Sequence, residues 1–294
     1  MSNQITNTSK IKEMLETKEC HAAFEKILGS RAQQFVTSVL SVVNENKLLQ
    51  KADWVSLYGA AMTAATLDLP INKSLGLAYI VPYKGNAQFQ MGYRGYIQLA
   101  QRTGDYDTIN VTEVREGEIK SNNRLTGKLE FDWIEEGRES KPVVGYVAYI
   151  SLLNGFTKSL YMTKEQLEAH GRAYSASYNA KSKFDNSPTG LWKTNFDAMA
   201  KKTVIKLLIS KYGPLSTEMQ TAITHDQGVI GKDNKPKYID NVNTVDAVDT
   251  KSNLQLYIED TATSTEMLDK IKDKIQSPEE QTAFDIKYKK LLSK

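Results

Sequence analysis

Cysteine is nearly absent from this chain: Cys20 stands alone among 294 residues. No internal disulfide is available, and a reducing interior is the expected setting. Long apolar runs are missing too, none approaching the ~18 residues that a membrane span needs. The N-terminal stretch MSNQITNTSKIKEML has neither the apolar centre nor the small-residue cleavage site of a signal peptide. A cytoplasmic protein with no membrane partner is expected. Catalytic and cofactor motifs are scarce as well. No G-x-x-x-x-G-K-S/T run exists to cradle a nucleoside triphosphate, and G-x-S-x-G is lacking. His21, His170 and His225 are scattered, and a single cysteine cannot build a zinc cluster. No cofactor and no enzymatic activity are expected.

The most telling absence is local. From Leu69 to Gly104 the chain reads LPINKSLGLAYIVPYKGNAQFQMGYRGYIQLAQRTG, without one carboxylate. The 35 acids of the whole chain would place about four there by chance. What the segment does hold is Lys73, Lys84, Arg94 and Arg102 among the rings of Tyr79, Tyr83, Phe89, Tyr93 and Tyr96. Cations meet phosphates and flat rings stack on bases, so this composition suits a nucleic-acid groove. The alternative is a tyrosine-rich core segment with its few charges at the rim.

Overall, 40% hydrophobic and 25% charged residues suit a globular protein able to bury a core, and the net charge of +3 is small. Its distribution says more. Residues 163–212 carry nine Lys/Arg against four acids, whereas from 227 onward 11 basic residues face 12 acidic ones. The positive charge belongs to the body of the protein.

Apolar spacing predicts helices through residues 10–66, with Gly29 breaking one run and Asp53 capping WVSLYGAAMTAATL. Leu77–Tyr83 and Ala87–Met91 flank Lys84-Gly85-Asn86, a hairpin signal, and Pro82 makes its strand an edge or a bulge. A short helix Tyr93–Arg102 ends at Gly104. Strands are expected at Thr108–Val114, Lys128–Ile134, Val143–Leu153 and Thr157–Met162, and Thr163 with Gln166 forms a capping box. Beyond a polar loop at 175–188, one long helix is predicted over Leu191–Tyr212. Trp192, Phe196, Met199, Val204, Leu207 and Leu208 share its apolar face, and Lys202 and Lys206 lie one turn apart off that face, where they can meet neighbouring phosphates. A solvated basic flank on a core helix is the plainer reading. The expected class is α+β: N-terminal helices, a small antiparallel sheet with a hairpin on a long basic helix, and a small helical C-terminal module. The expected division is a nucleic-acid-binding core at 1–226, a flexible linker at 227–252 and a small helical docking tail at 253–294.

One short pattern points elsewhere. Asp107 followed by Glu118-Ile119-Lys120 has the form of a D…E-x-K metal nuclease, in which carboxylates hold a divalent ion. Glu130 and Asp132 share one strand face, as a solvated edge.

Three blocks carry a family resemblance: WVSLYGAAMTAATLDLPIN (54–72), LGLAYIVPYKGNAQFQMGYRGYIQLAQRTGDY (75–106) and FDAMAKKTVIKLLISKYGPLS (196–216). Residues 35–215 resemble the RecT family of phage single-strand annealing proteins, which is related to the Redβ group. The resemblance implies an ATP-independent recombinase that forms rings or helical filaments of its own copies. It also implies partnership with a phage exonuclease, and the tail is expected to dock that enzyme and the host single-strand binding protein. By position, the family's DNA-binding helix maps onto Lys201, Lys202 and Lys206, its G-Y-R/K-G block onto Gly92, Tyr93, Arg94 and Gly95, and the DNA-inserting hairpin onto Tyr79–Met91. The expected DNA contacts are therefore Lys84, Phe89, Tyr93, Arg94 and Arg102 from the carboxylate-free segment. Lys181, Lys183, Lys193, Phe196, Lys201, Lys202 and Lys206 are expected from the basic one. Single-stranded DNA and an annealed duplex intermediate are the ligands this implies; a passive single-strand binding protein is the competing reading.

Overall fold

The structure is a computed structural model, and it describes residues 13–123, 125–175, 178, 190–230, 236–237, 265–269, 272 and 278–292. Helix α1, Lys18–Leu28, starts where the Thr17 hydroxyl accepts the Cys20 N–H and stops at Gly29, whose φ of +56° suits glycine. Its Phe24 packs against Phe35 of α2, Ala32–Glu45. Helix α3, Trp54–Thr66, begins as expected with the Asp53 carboxylate accepting the Ser56 N–H at 2.9 Å. Its small residues let neighbours come close: a side chain at Gly59 would strike Ile230.

Strands β1, Ala78–Tyr83, and β2, Asn86–Met91, form the hairpin. Tyr83 pairs with Asn86 beside the tip, and Ile80 with Phe89 three rungs away. Both turn residues have positive φ, +46° at Lys84 and +80° at Gly85, as a two-residue type I′ turn requires. The hairpin lies on α3, where the Gly85 carbonyl accepts the Asp53 N–H and the Ser56 hydroxyl accepts the Ala87 N–H. Helix α4, Tyr93–Thr103, ends at Gly104, φ +75°.

Strands β3 (Tyr106–Arg115), β6 (Val143–Leu152) and β7 (Thr157–Thr163) make an antiparallel sheet in the order β3-β6-β7. Its apolar strand β6 is central, as a strand covered on both sides should be. Between β3 and β6 stands a second hairpin, β4 (Ile119–Asn123) with β5 (Lys128–Phe131). Only β5 carries a strand-like pattern; IKSNN in β4 is polar and mostly exposed, so it shows no alternation. Helix α5, Lys164–Tyr174, has the expected Thr163–Gln166 capping box.

The long helix predicted over 191–212 is interrupted. Helix α6, Leu191–Thr194, gives way at Asn195, φ −147°, to α7, Phe196–Tyr212. Thr194 and Asn195 favour non-helical backbone, and the Thr194 hydroxyl donates back to the Gly190 carbonyl. Helix α7 packs against β6, β7, β3 and α4, so the sheet covers the basic helix while the hairpin covers α3. Helix α8, Thr217–His225, is capped by Ser216.

Of the stretch expected as a linker, residues 227–230 and 236–237 are described, and the rest lies outside the described residues. The Gln227 N–H donates to the Phe89 carbonyl at 2.9 Å, and β8, Val229–Ile230, is buried and pairs with β9, Pro236–Lys237. Two-residue strands have no periodicity to read in the sequence. The chain divides into two units, Met1–Val242 and Asn243–Lys294. In the second, α9 (Thr265–Asp269) and α10 (Pro278–Leu292) bury Leu268 and Phe284. The class is α+β, with N-terminal helices and small antiparallel sheets.

Candidate nucleic-acid interface

A groove of about 380 Å³ opens between the hairpin and the basic helix. Tyr79, Val81, Pro82 and Gln90 of the hairpin line it, with Val42 and Asn46 of α2, Gly92 and Tyr93 at the start of α4, and Leu191, Asn195, Ala198 and Lys202 of α6 and α7. Its walls are largely apolar, with Lys73 at one side paired to Glu45 at 2.8 Å.

The Gly-Tyr-Arg-Gly block builds the start of α4 on the loop before the hairpin. The Gly92 N–H donates to the Leu77 carbonyl at 2.8 Å. A β-carbon at Gly92 would collide with the Gly76 carbonyl, and one at Gly95 with the Leu77 carbonyl. Only glycine permits that approach, and it leaves Tyr93 half-buried in the groove and Arg94 exposed beside it.

Three of the expected DNA-contacting cations lie over aromatic rings and make no ion pair among the described residues. Lys84 Nζ is 5.0 Å from the Tyr83 ring centre at the hairpin tip, Arg94 is 5.9 Å from Tyr93, and Lys193 Nζ is 4.6 Å from Tyr178. Arg94 Nε also donates to the Tyr93 hydroxyl. Phe196 is half-buried, edge-on to Trp192 at 5.7 Å, with Lys164 Nζ 6.0 Å from its ring centre.

Other expected contacts turn inward. Phe89 is fully buried, so its ring presents no face to a base. Alternation along a strand sends rings to both faces, and composition alone cannot say which. Arg102 donates to the Leu67 and Asp68 carbonyls at 2.7 and 2.8 Å, serving the end of α3. Lys201 pairs with Asp197 at 3.0 Å and Glu113 at 3.5 Å. Lys202, expected off the apolar face where it can meet a phosphate, is buried: its side chain is 6% exposed, and Nζ donates to Asp226 Oδ1 at 2.7 Å. Lys206, 29% exposed, donates to Asp226 Oδ2 at 2.9 Å. Lys181 and Lys183 lie outside the described residues.

Asp226 itself was legible only as the end of the core. Its buried carboxylate also accepts the Met91 N–H at 3.0 Å and the Tyr96 hydroxyl at 3.1 Å. Burial alone would raise its pKa, but the charges of Lys202 and Lys206 and their hydrogen bonds hold it well below the usual carboxylate range.

The nuclease pattern does not assemble. Glu118 is fully buried, its Oε1 taking Arg138 Nε at 2.6 Å and its Oε2 the Arg115 N–H at 2.7 Å. Asp107 is exposed and accepts the hydroxyl of neighbouring Thr108. Among the described residues, no three His, Cys, Asp or Glu side chains gather as metal ligands would, and no helix is long and apolar enough to cross a membrane.

The class of protein is thus a mixed helix-and-sheet body with a largely apolar groove that carries Tyr79, Tyr93, Lys73 and Lys202. Comparison with known proteins carries this further: the RecT family model matches residues 33–240, and the chain belongs to the RecT family. It is 48% identical over 237 residues to the uncharacterized protein YqaK of Bacillus subtilis (strain 168), covering 81% of this chain and 77% of that one. It is 32% identical over 205 residues to protein RecT of Escherichia coli (strain K12), covering 67% of this chain and 71% of that one. The family is one of DNA recombination and single-strand annealing. The match runs through β8 and β9 and ends before the second unit.

Proposed function

We propose that this chain is an ATP-independent annealing protein that holds one DNA strand along the groove and offers its bases to a complement. The observation that carries this reading is that, in a RecT family chain, the expected cations Lys84, Arg94 and Lys193 each lie over an aromatic ring, Arg94 on the Tyr93 that lines the groove. Lys84, Arg94, Lys193 and Lys206 supply the charges that neutralise the phosphates. Tyr93 and the half-buried Phe196 supply apolar surface, and the buried Phe89 supports the hairpin wall from behind. Arg102 and Lys201 act indirectly, by fixing α3 and α7. Screening the repulsion between two strands on an extended template is sufficient for annealing, so no bond is made or broken by the protein. Copies of the chain, in a ring or helical filament, extend the groove from one to the next in the cytoplasm of a bacterial host. The second unit docks a phage exonuclease that exposes single strands, and the host single-strand binding protein.

The test is annealing of two complementary labelled oligonucleotides, followed by fluorescence transfer without nucleotide and with a chelator present. Annealing faster than the strands achieve alone is expected, and Lys84→Ala with Arg94→Ala should slow it while flattening the log-affinity against log-salt slope by about 1.4, or ~0.7 per phosphate contact. Tight binding without accelerated annealing would leave a passive coat, and cleavage that the chelator abolishes would revive the nuclease reading.

A further inference from the structure

The carboxylate of Asp226 receives four donors from three elements. Its Oδ1 takes Lys202 Nζ and the Met91 N–H; its Oδ2 takes Lys206 Nζ and the Tyr96 hydroxyl. Two ammonium groups and one carboxylate leave a single positive charge at this point beside the groove. The two lysines are not equivalent. Lys202 is 6% exposed and Lys206 29% exposed, and Asp226 is 1% exposed.

We propose that Asp226 is a positioning residue that divides the labour of these two lysines: Lys202 is its dedicated counter-ion, and Lys206 is thereby kept for a phosphate of the bound strand. This rests on the reading of the groove as a single-strand site. A buried carboxylate needs a full compensating charge. Lys202 provides it from within, and the second ammonium, closer to solvent, keeps its charge for the ligand. The same carboxylate fixes Met91 and Tyr96, and so the start of α4 that carries Tyr93 and Arg94. The chain after α8 thus ties the hairpin root to the basic helix.

The arrangement predicts an asymmetric rescue. In Lys202→Met, Asp226 takes the whole charge of Lys206, so the salt slope for a thymidine oligonucleotide should flatten by about 0.7, as it should in Lys206→Met. Adding Asp226→Asn to Lys202→Met releases Lys206 and should restore the slope. Adding it to Lys206→Met should not, because Lys202, although it lines the groove, is only 6% exposed and does not reach the phosphate that Lys206 holds. Thermal unfolding of each variant separates these effects from loss of fold. If the folded Lys202→Met/Asp226→Asn pair stays as flat as Lys202→Met, or Lys202→Met keeps the original slope, the assignment is overturned. Should the variants not fold, acetylation of the unsubstituted chain read by mass spectrometry decides. Lys206 labelled when free and protected by the oligonucleotide, with Lys202 unlabelled in both states, is expected; labelling of Lys202 that the oligonucleotide blocks overturns the proposal. Absence of oligonucleotide binding by the unsubstituted chain overturns this and the functional reading together, whereas binding with the wrong pattern removes only the role of Asp226.

Discussion

Arg138 joins two carboxylates that would otherwise repel each other, and acid should undo the join. Its Nε donates to Glu118 at 2.6 Å and its Nη1 to Glu113 at 2.9 Å, while Nη2 reaches the Glu113 carbonyl at 3.0 Å. This clamp fastens the β4–β5 hairpin to the central sheet. Hydrogen bonding from Arg138 is the largest influence on Glu113 and brings its pKa from the ordinary 4.5 to about 2. A group with a depressed folded pKa stabilises the protein above its unfolded value and loses that contribution as pH falls through the folded one. For Glu113 the window runs from 4.5 down to about 2. The shift sets a ceiling of about 3 kcal/mol at neutral pH, which solvent screening reduces to about 2 kcal/mol. Arg138→Met removes the clamp and leaves Glu118, fully buried, with backbone N–H donors from Arg115 and Ile134 but no counter-charge from Arg138. Uncompensated buried charge of this kind costs about 3–5 kcal/mol. Urea unfolding followed by tryptophan fluorescence should show that deficit at pH 7 and a much smaller one near pH 3, where protonation relieves the variant and weakens the original clamp alike. A deficit that is the same at both pH values would refute the reasoning, because a purely steric defect does not titrate.

Phe89→Ala should destabilise the first unit by about 3–5 kcal/mol through loss of a fully buried ring; stability within 1 kcal/mol of the original, by the same urea titration, would mean that the ring is not core. Gly92→Ala forces α4 away from the Gly76 carbonyl and should cost about 1–3 kcal/mol and weaken oligonucleotide binding in anisotropy titrations, since Tyr93 and Arg94 move with it. A chain ending at Val242 keeps β8, β9 and the clasp at Asp226, so it should anneal purified strands at the original rate yet fail to support recombination in cells. Loss of annealing by that folded truncation would show that the second unit belongs to the strand-binding machinery.

Much of the local structure was legible because its causes are local. Asp53 caps α3, Thr163 and Gln166 box the start of α5, and Lys84-Gly85 turns the hairpin, each through residues within three or four positions of one another. The carboxylate-free stretch and the Gly-Tyr-Arg-Gly block likewise pointed to the groove and the family, since composition and order survive without coordinates. What the sequence could not say is which cations keep their charge for a ligand. Lys84 and Arg94 lie over rings on the surface, while Lys202 and Lys206 meet Asp226, 24 and 20 residues away, and Lys201 meets Glu113. Helical periodicity placed Lys202 off the apolar face, but a face is buried or wet according to what packs on it, and here the chain after α8 returns to cover it. The same holds for Phe89, whose strand packs on α3 and on β8. Local signals end within a turn or two of chain, whereas ion pairing and burial depend on which distant segments the fold brings together.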